Sequence, residues 1–279
     1  MKKSISYFLL LIVTLGSCVP EPLPLEIDQL EEKPVIWSQV IGENGAILYF
    51  GRTFSALEFS DTEDTASADF LNELLVQNAE IILRGAGDVD TLFPLTNGLF
   101  LTLNATLIPG ETYTITARDL DKGLSTSASA VMMPQVAIDT VTFQSIDTNT
   151  YNLRVRFTDP SGPNWYAIHF YSSYNDPLEI QDPLESTGVV RTVILSDIEY
   201  NTASIALNQE LDFLESDTVY VSLNNIDEGF YNYLQQRSRG GNLFSQAISE
   251  PITYPTNVLD GYGIFSLYRP SVKTVILEN

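Results

Sequence analysis

Two side chains bound the chemistry open to this chain: its one cysteine, Cys18, and its one histidine, His169. A zinc site built on several Cys and His ligands is excluded by count. A Cys–His nucleophilic pair is excluded as well once the Cys18 thiol is consumed. No disulfide can form within the chain, and no Gly-x-Ser-x-Gly elbow occurs. The 36 carboxylates offer no spacing that singles out a hydrolytic pair. Asp119-Leu-Asp-Lys-Gly123 begins like a calcium loop, but Ala130 stands where such a loop closes with a bidentate Glu, so it reads as a β-turn. The acids between Asp61 and Asp69 read as a solvated loop. The expectation is a chain with no cofactor, no metal and no catalytic residues, and therefore not an enzyme.

The chemistry the sequence does offer is at Cys18. Lys2 and Lys3 precede an apolar run over residues 5–15, followed by Leu15, Gly16, Ser17 and Cys18. This is a secretory signal, too short to span a bilayer as a helix. Its last four residues resemble the bacterial lipobox, in which the cysteine thiol is acylated and becomes the first residue of the mature protein. Residues 1–18 therefore read as a lipoprotein signal peptide ending at a lipidated Cys18, and several acyl chains, palmitate among them, would make the anchor stable. Residues 19–33, rich in proline and acid, read as a tether. Glu21, Glu26 and Asp28 loosely match surface-export signals. The expected place is the outer membrane, lipid-anchored and facing the cell exterior, with the periplasmic face as the alternative. The net charge of −22 repels nucleic acid and anionic lipid surfaces.

Beyond the tether the pattern is short strands between Gly/Pro turns. Tyr113, Ile115 and Ala117 alternate with Thr112, Thr114 and Thr116, and Leu153, Val155 and Phe157 alternate with Arg154 and Arg156. The spacing predicts a mainly β protein with two β-sandwich domains of immunoglobulin or transthyretin type, over residues 34–135 and 136–279. One helix interrupts the second, over residues 226–239. Ile226, Phe230, Tyr233 and Leu234 form one apolar stripe. Asn225 is the expected N-cap with Glu228 completing a capping box, and Arg237 and Arg239 suit the C-terminal end of the dipole. Trp165, His169, Tyr171 and Tyr174 form a candidate recognition surface, weighed against core packing. Asp64-Thr65-Ala66 resembles an O-glycosylation pattern of Asp, Thr and an apolar residue, which makes Thr65 a candidate for modification.

Several segments occur in an order that points to a family: the lipobox, Asn78-Ala-Glu-Ile-Ile-Leu83, Pro109-Gly-Glu-Thr-Tyr113, Met133-Pro134, Phe157-Thr-Asp-Pro-Ser-Gly162 with Asn164-Trp-Tyr166, Tyr231-Asn-Tyr-Leu234, and Asn257-Val-Leu-Asp-Gly-Tyr-Gly-Ile-Phe265. The chain resembles the Bacteroidetes lipoproteins grouped as domain of unknown function 4249. Asp260 stands where that family usually has Asn. The resemblance implies two β domains and a gene beside a TonB-dependent outer-membrane receptor, and it supplies no catalytic residues. The expected function is a non-catalytic accessory partner of a TonB-dependent transporter. The alternatives are a cell-surface structural or adhesive module and, last, a surface hydrolase. The helix and the segment over residues 257–265 are expected to act together as an architectural clamp.

Overall fold

The computed structural model describes residues 31–41, 44–53, 74–96, 98–147, 150–171, 189–200, 202–212, 218–239 and 254–277. The lipobox residues Leu15, Gly16 and Ser17 with Cys18, as well as Thr65 and Tyr174, lie outside them. Residues 32–279 form one compact unit.

Among the described residues, seventeen strands form four sheets. The first sandwich is built on β1 (Pro34–Ile41), β2 (Gly45–Arg52), β3 (Ala79–Gly85), β4 (Asp88–Thr91), β5 (Phe93–Thr96), β6 (Leu99–Thr102), β7 (Thr112–Asp119) and β8 (Ser125–Val131). The second uses β9 (Ile138–Ser145), β10 (Thr150–Thr158), β11 (Trp165–Tyr171), β12 (Val189–Ser196), β13 (Ser204–Asp212) and β14 (Thr218–Ile226). Helix α1 (Glu228–Arg239) follows, then β15 (Val258–Leu259), β16 (Tyr262–Ile264) and β17 (Ser271–Ile276).

The predicted alternation sets the faces. Tyr113, Ile115 and Ala117 of β7 are buried in the first core, opposite Ile36, Leu48, Phe50 and Phe100 of the facing sheet. Leu153, Val155 and Phe157 of β10 are buried in the second core, against Ile168, Phe170, Val221 and Leu223. A period of two on each strand is what puts one set inward and the other in water.

The C-terminal segment departs from the expected division. The sequence reading placed all of residues 136–279 in the second sandwich. Yet β16 pairs in parallel with β1, and β15 pairs antiparallel with β8. Each therefore adds an edge strand to one sheet of the first sandwich. Val258, Phe265 and Leu267 are buried in the first core. The chain then crosses back, and β17 joins β14 in the second sandwich. The reason is local backbone fit. Gly263 has φ +96°, and a β-carbon there would land on the Ile36 carbonyl, so only glycine lets β16 lie so close to β1. Asp260 has φ +55°, a left-handed conformation that Asn and Asp tolerate best among residues with a side chain.

Candidate functional site

Helix α1 lies in a third apolar cluster, where it bridges the two sandwiches. Phe230, Leu234, Ile226, Ala167 and Ile264 are buried there, with Trp37, Trp165, Ile194, Tyr231, Tyr233 and Tyr268 packed around them. The predicted stripe is thus the docked face. The Trp37 ring of β1 stands edge-on to Phe230 at 5.6 Å and tilted to Tyr233 at 5.3 Å, while Tyr268 stacks on Phe230 at 5.8 Å. Such aromatic contacts add about 0.5–1.5 kcal/mol each beyond simple burial.

The helix starts two residues later than expected, because Ile226 is the last residue of β14. The cap is Asp227, not Asn225: its Oδ1 accepts from the Phe230 N–H at 2.9 Å. Asn225 is fully buried, and its Nδ2 donates to the Pro134 carbonyl at 3.1 Å, tying strand to linker. Asp227 does a second job. Its Oδ2 accepts from the Ser266 hydroxyl at 2.7 Å, the Ser266 N–H donates to Ser38 Oγ at 2.9 Å, and the Ser38 hydroxyl donates to the Ser266 carbonyl at 2.9 Å. One carboxylate thus joins the helix, the returning segment and β1 through groups that are largely out of water.

The segment over residues 257–265 is pinned by Asn257. Its Oδ1 accepts from the Phe265 N–H at 2.9 Å, and its Nδ2 donates to the carbonyls of Phe265 at 2.7 Å and Ser129 at 3.0 Å. The motif's Asn, its glycines and its left-handed Asp260 serve that loop. The motif around Asp159 is similar in kind. The Tyr166 hydroxyl bonds the Asp159 carboxylate, and burial with that carboxylate raises the phenol's pKa strongly. Asn164 Nδ2 donates to the Pro160 and Gly162 carbonyls at 2.9 Å each, and the Asn164 N–H donates to Asp197 at 2.9 Å.

Trp165, His169 and Tyr171 share one face of β11, as their alternation requires; His169 is buried there, and Trp165 and Tyr171 are half-buried. Trp165 packs in the helix cluster. His169 is 4% exposed, with Nδ1 3.0 Å from Thr192 Oγ1 and its ring 5.9 Å from that of Tyr171. Burial lowers the His169 pKa to about 4 and raises that of Tyr171 to about 12. His169 is accordingly a neutral packing residue and not an exposed member of the expected recognition surface.

The turn after β7 closes on itself. Asp119 Oδ1 accepts from the N–H groups of Asp121 at 2.9 Å and Lys122 at 3.1 Å. Gly123, at φ +75°, donates to the Asp119 carbonyl at 3.0 Å. Among the described residues no cluster of His, Cys, Asp and Glu could hold a metal ion, and no helix is long and apolar enough to cross a membrane.

The described residues line two further concave surfaces. A wide cleft of about 720 Å³ runs along the outer side of α1, lined by Tyr231, Asn232, Gln235, Gln236, Arg239 and Pro255. A shallow apolar depression of about 170 Å³ lies at the β5 edge, lined by Phe93, Pro94, Leu95, Leu101, Leu103 and Asn104. Sequence reasoning missed the second. Its signal was the Phe93-Pro94-Leu95 run, whose proline marks an edge strand.

No curated protein matches the sequence. Solved structures that resemble the fold include the chicken CNTN1 FN1–FN3 domains, 9% identical, covering 69% of this chain and 60% of that one with a TM-score of 0.29. Another is a segment of two fibronectin type III domains from chicken tenascin, 10% identical, covering 88% and 99% with a TM-score of 0.22. The chain thus spans about 60% of the length of the first. The family comparison is direct: residues 20–274 match the model of Domain of unknown function (DUF4249), and the chain belongs to that family.

Proposed function

We propose that this protein is an outer-membrane lipoprotein, anchored through Cys18, that serves as a non-catalytic accessory partner of a TonB-dependent transporter. The observation that carries the reading is the lock between the sandwiches. The returning segment completes both sheets of the first, and Asp227 ties helix, return and β1 together. A body stiffened in this way suits presenting a surface to a partner, because little freedom is lost when it docks. Its working features are open surfaces, and its one imidazole is buried and neutral. The lipobox sequence and the tether of residues 19–33 supply the membrane tie, and the acidic net charge keeps the body off anionic headgroups.

The test is co-purification from gently solubilised outer membrane of the native host. The full chain is expected to bring down a β-barrel receptor, and a Cys18→Ala chain is expected in the soluble fraction without it. Recovery of the wild-type lipoprotein alone would sink the proposal.

A further inference from the structure

The chain enters and leaves the first sandwich at opposite ends. Glu32 and Lys33, the last described residues before β1, are bonded to the body. The Lys33 N–H donates to Thr53 Oγ1 and the Thr53 N–H to the Lys33 carbonyl, each at 2.8 Å. The Lys33 ammonium lies 5.7 Å from the centre of the Tyr262 ring. The Lys122 ammonium donates to both carboxylate oxygens of Glu32, at 2.5 and 2.6 Å. Exposed pairs of this kind are weak singly, but these hold two adjacent residues from three sides: the end of β2, β16 and the turn after β7. From that turn β8 runs away for seven residues, roughly 20 Å. The linker and the return crossing to the second sandwich lie past its far end. There the Met133 N–H donates to the Leu267 carbonyl at 2.8 Å, Gln135 Nε2 to the Pro270 carbonyl at 2.7 Å, and the Ile138 N–H to Ser271 Oγ at 3.0 Å. β9 then leads from Ile138 to Ser145, roughly another 25 Å from that junction.

We propose that the contacts of Glu32 and Lys33 are a clamp that fixes where the lipid-anchored segment leaves the body, so that the first sandwich is held toward the membrane and the second points away from it. Residues 19–31 separate Cys18 from the clamp, and a stretch of that length reaches at most about 45 Å. Turning the body over would send the segment back along both sandwiches, which takes nearly all of that reach. A chain drawn so straight gives up most of its conformational freedom, whereas the upright body leaves the segment slack. Were Glu32 and Lys33 free as well, the reach would grow by about 7 Å, and the exit would swing over the end of the sandwich. The inference rests on the anchoring proposed above, and it makes the first sandwich the part within reach of a membrane-embedded partner.

Acylation consumes the Cys18 thiol, so a cysteine introduced elsewhere takes a fluorescent donor alone. Ser125→Cys labels the clamped end of the first sandwich and Gln144→Cys the far end of the second, both at exposed positions. The full lipidated chain is inserted into phosphatidylethanolamine vesicles that carry an acceptor on a fraction of the headgroups. Energy transfer from position 125 is expected to exceed that from position 144 at least three-fold. Equal or reversed efficiencies overturn the orientation. Thr53→Val together with Lys122→Gln removes the Thr53 side-chain and Lys122 ties of the clamp. A glutamate-specific protease is then expected to cut after Glu32 at least three-fold faster, with the melting temperature unchanged; an unchanged rate overturns the clamp. A native chain whose mass shows Cys18 without acyl groups sinks the anchoring and this inference together. An acylated chain with equal transfer from both positions sinks this inference and leaves the proposed function standing.

Discussion

The outer face of the β16-β1-β2-β6-β5 sheet is apolar at both ends, and the two ends have different fates. At β1, Trp37 is covered by Phe230 and Tyr233 of the protein's own helix. At β5, Phe93 is left in water beside Leu103. Strand type and side-chain chemistry are alike at the two places. What separates them is where the chain goes next. α1 is delivered onto β1 by Asp227 and the returning strand, and no described element reaches β5. An outward apolar residue is therefore core at one end of a sheet and open surface at the other, and only the tertiary path decides which.

Four substitutions break or sharpen that contrast. The largest effect is expected at Gly263. Gly263→Ala forces a β-carbon onto the Ile36 carbonyl from a positive φ, which detaches β16 and with it the cover over Trp37. A loss of about 4 kcal/mol or more in urea unfolding, or failure to fold, is expected. Phe230→Ala removes the ring between Trp37 and Tyr268 and should cost about 3–5 kcal/mol. A loss below about 1 kcal/mol would mean that the covered end is not held by that ring.

His169 gives a pH signature of the covered interior. Its folded-state pKa is depressed to about 4 from 6.5. As pH falls through 6.5 the unfolded chain takes up the proton and the folded chain does not. Stability is therefore complete above that point and is lost progressively down to pH 4, by about 2 kcal/mol at about pH 5. Melting curves of wild type and His169→Gln between pH 7 and pH 5 should diverge by that amount, with the variant flatter; parallel curves would place His169 in water. The smallest effect belongs to the uncovered end. Phe93→Ser should change unfolding free energy by less than about 0.5 kcal/mol. A loss as large as that of Phe230→Ala would show that the β5 edge is core.

The strands were the legible part. The alternation of Tyr113, Ile115 and Ala117 and of Leu153, Val155 and Phe157 names the buried faces of β7 and β10, because alternation is a local signal. The helix was legible through its stripe. Its cap was misplaced because Asn225 and Asp227 are both good caps in isolation, and the choice fell to a bond with Ser266, distant in sequence. The segment over residues 257–265 was singled out by its motif, but its partners could not be read. Two- and three-residue strands carry no periodicity, and nothing in Tyr262-Gly-Ile264 names β1. Trp165, His169 and Tyr171 do share one face of β11, yet a period of two cannot say whether water or a helix lies over that face. The β5 edge was hidden for the same reason in reverse.

The bond between Ser38 and Ser266 joins residues 228 positions apart. A chain made from its N-terminus therefore emerges almost entirely before the first sandwich can gain its last two edge strands. Contacts this distant close slowly, because much backbone freedom must be given up before any of them forms. Until residues 258–267 arrive, β1 and β8 each keep an unpaired flank and the helix has no floor to settle on. The fold is thus completed from its tail.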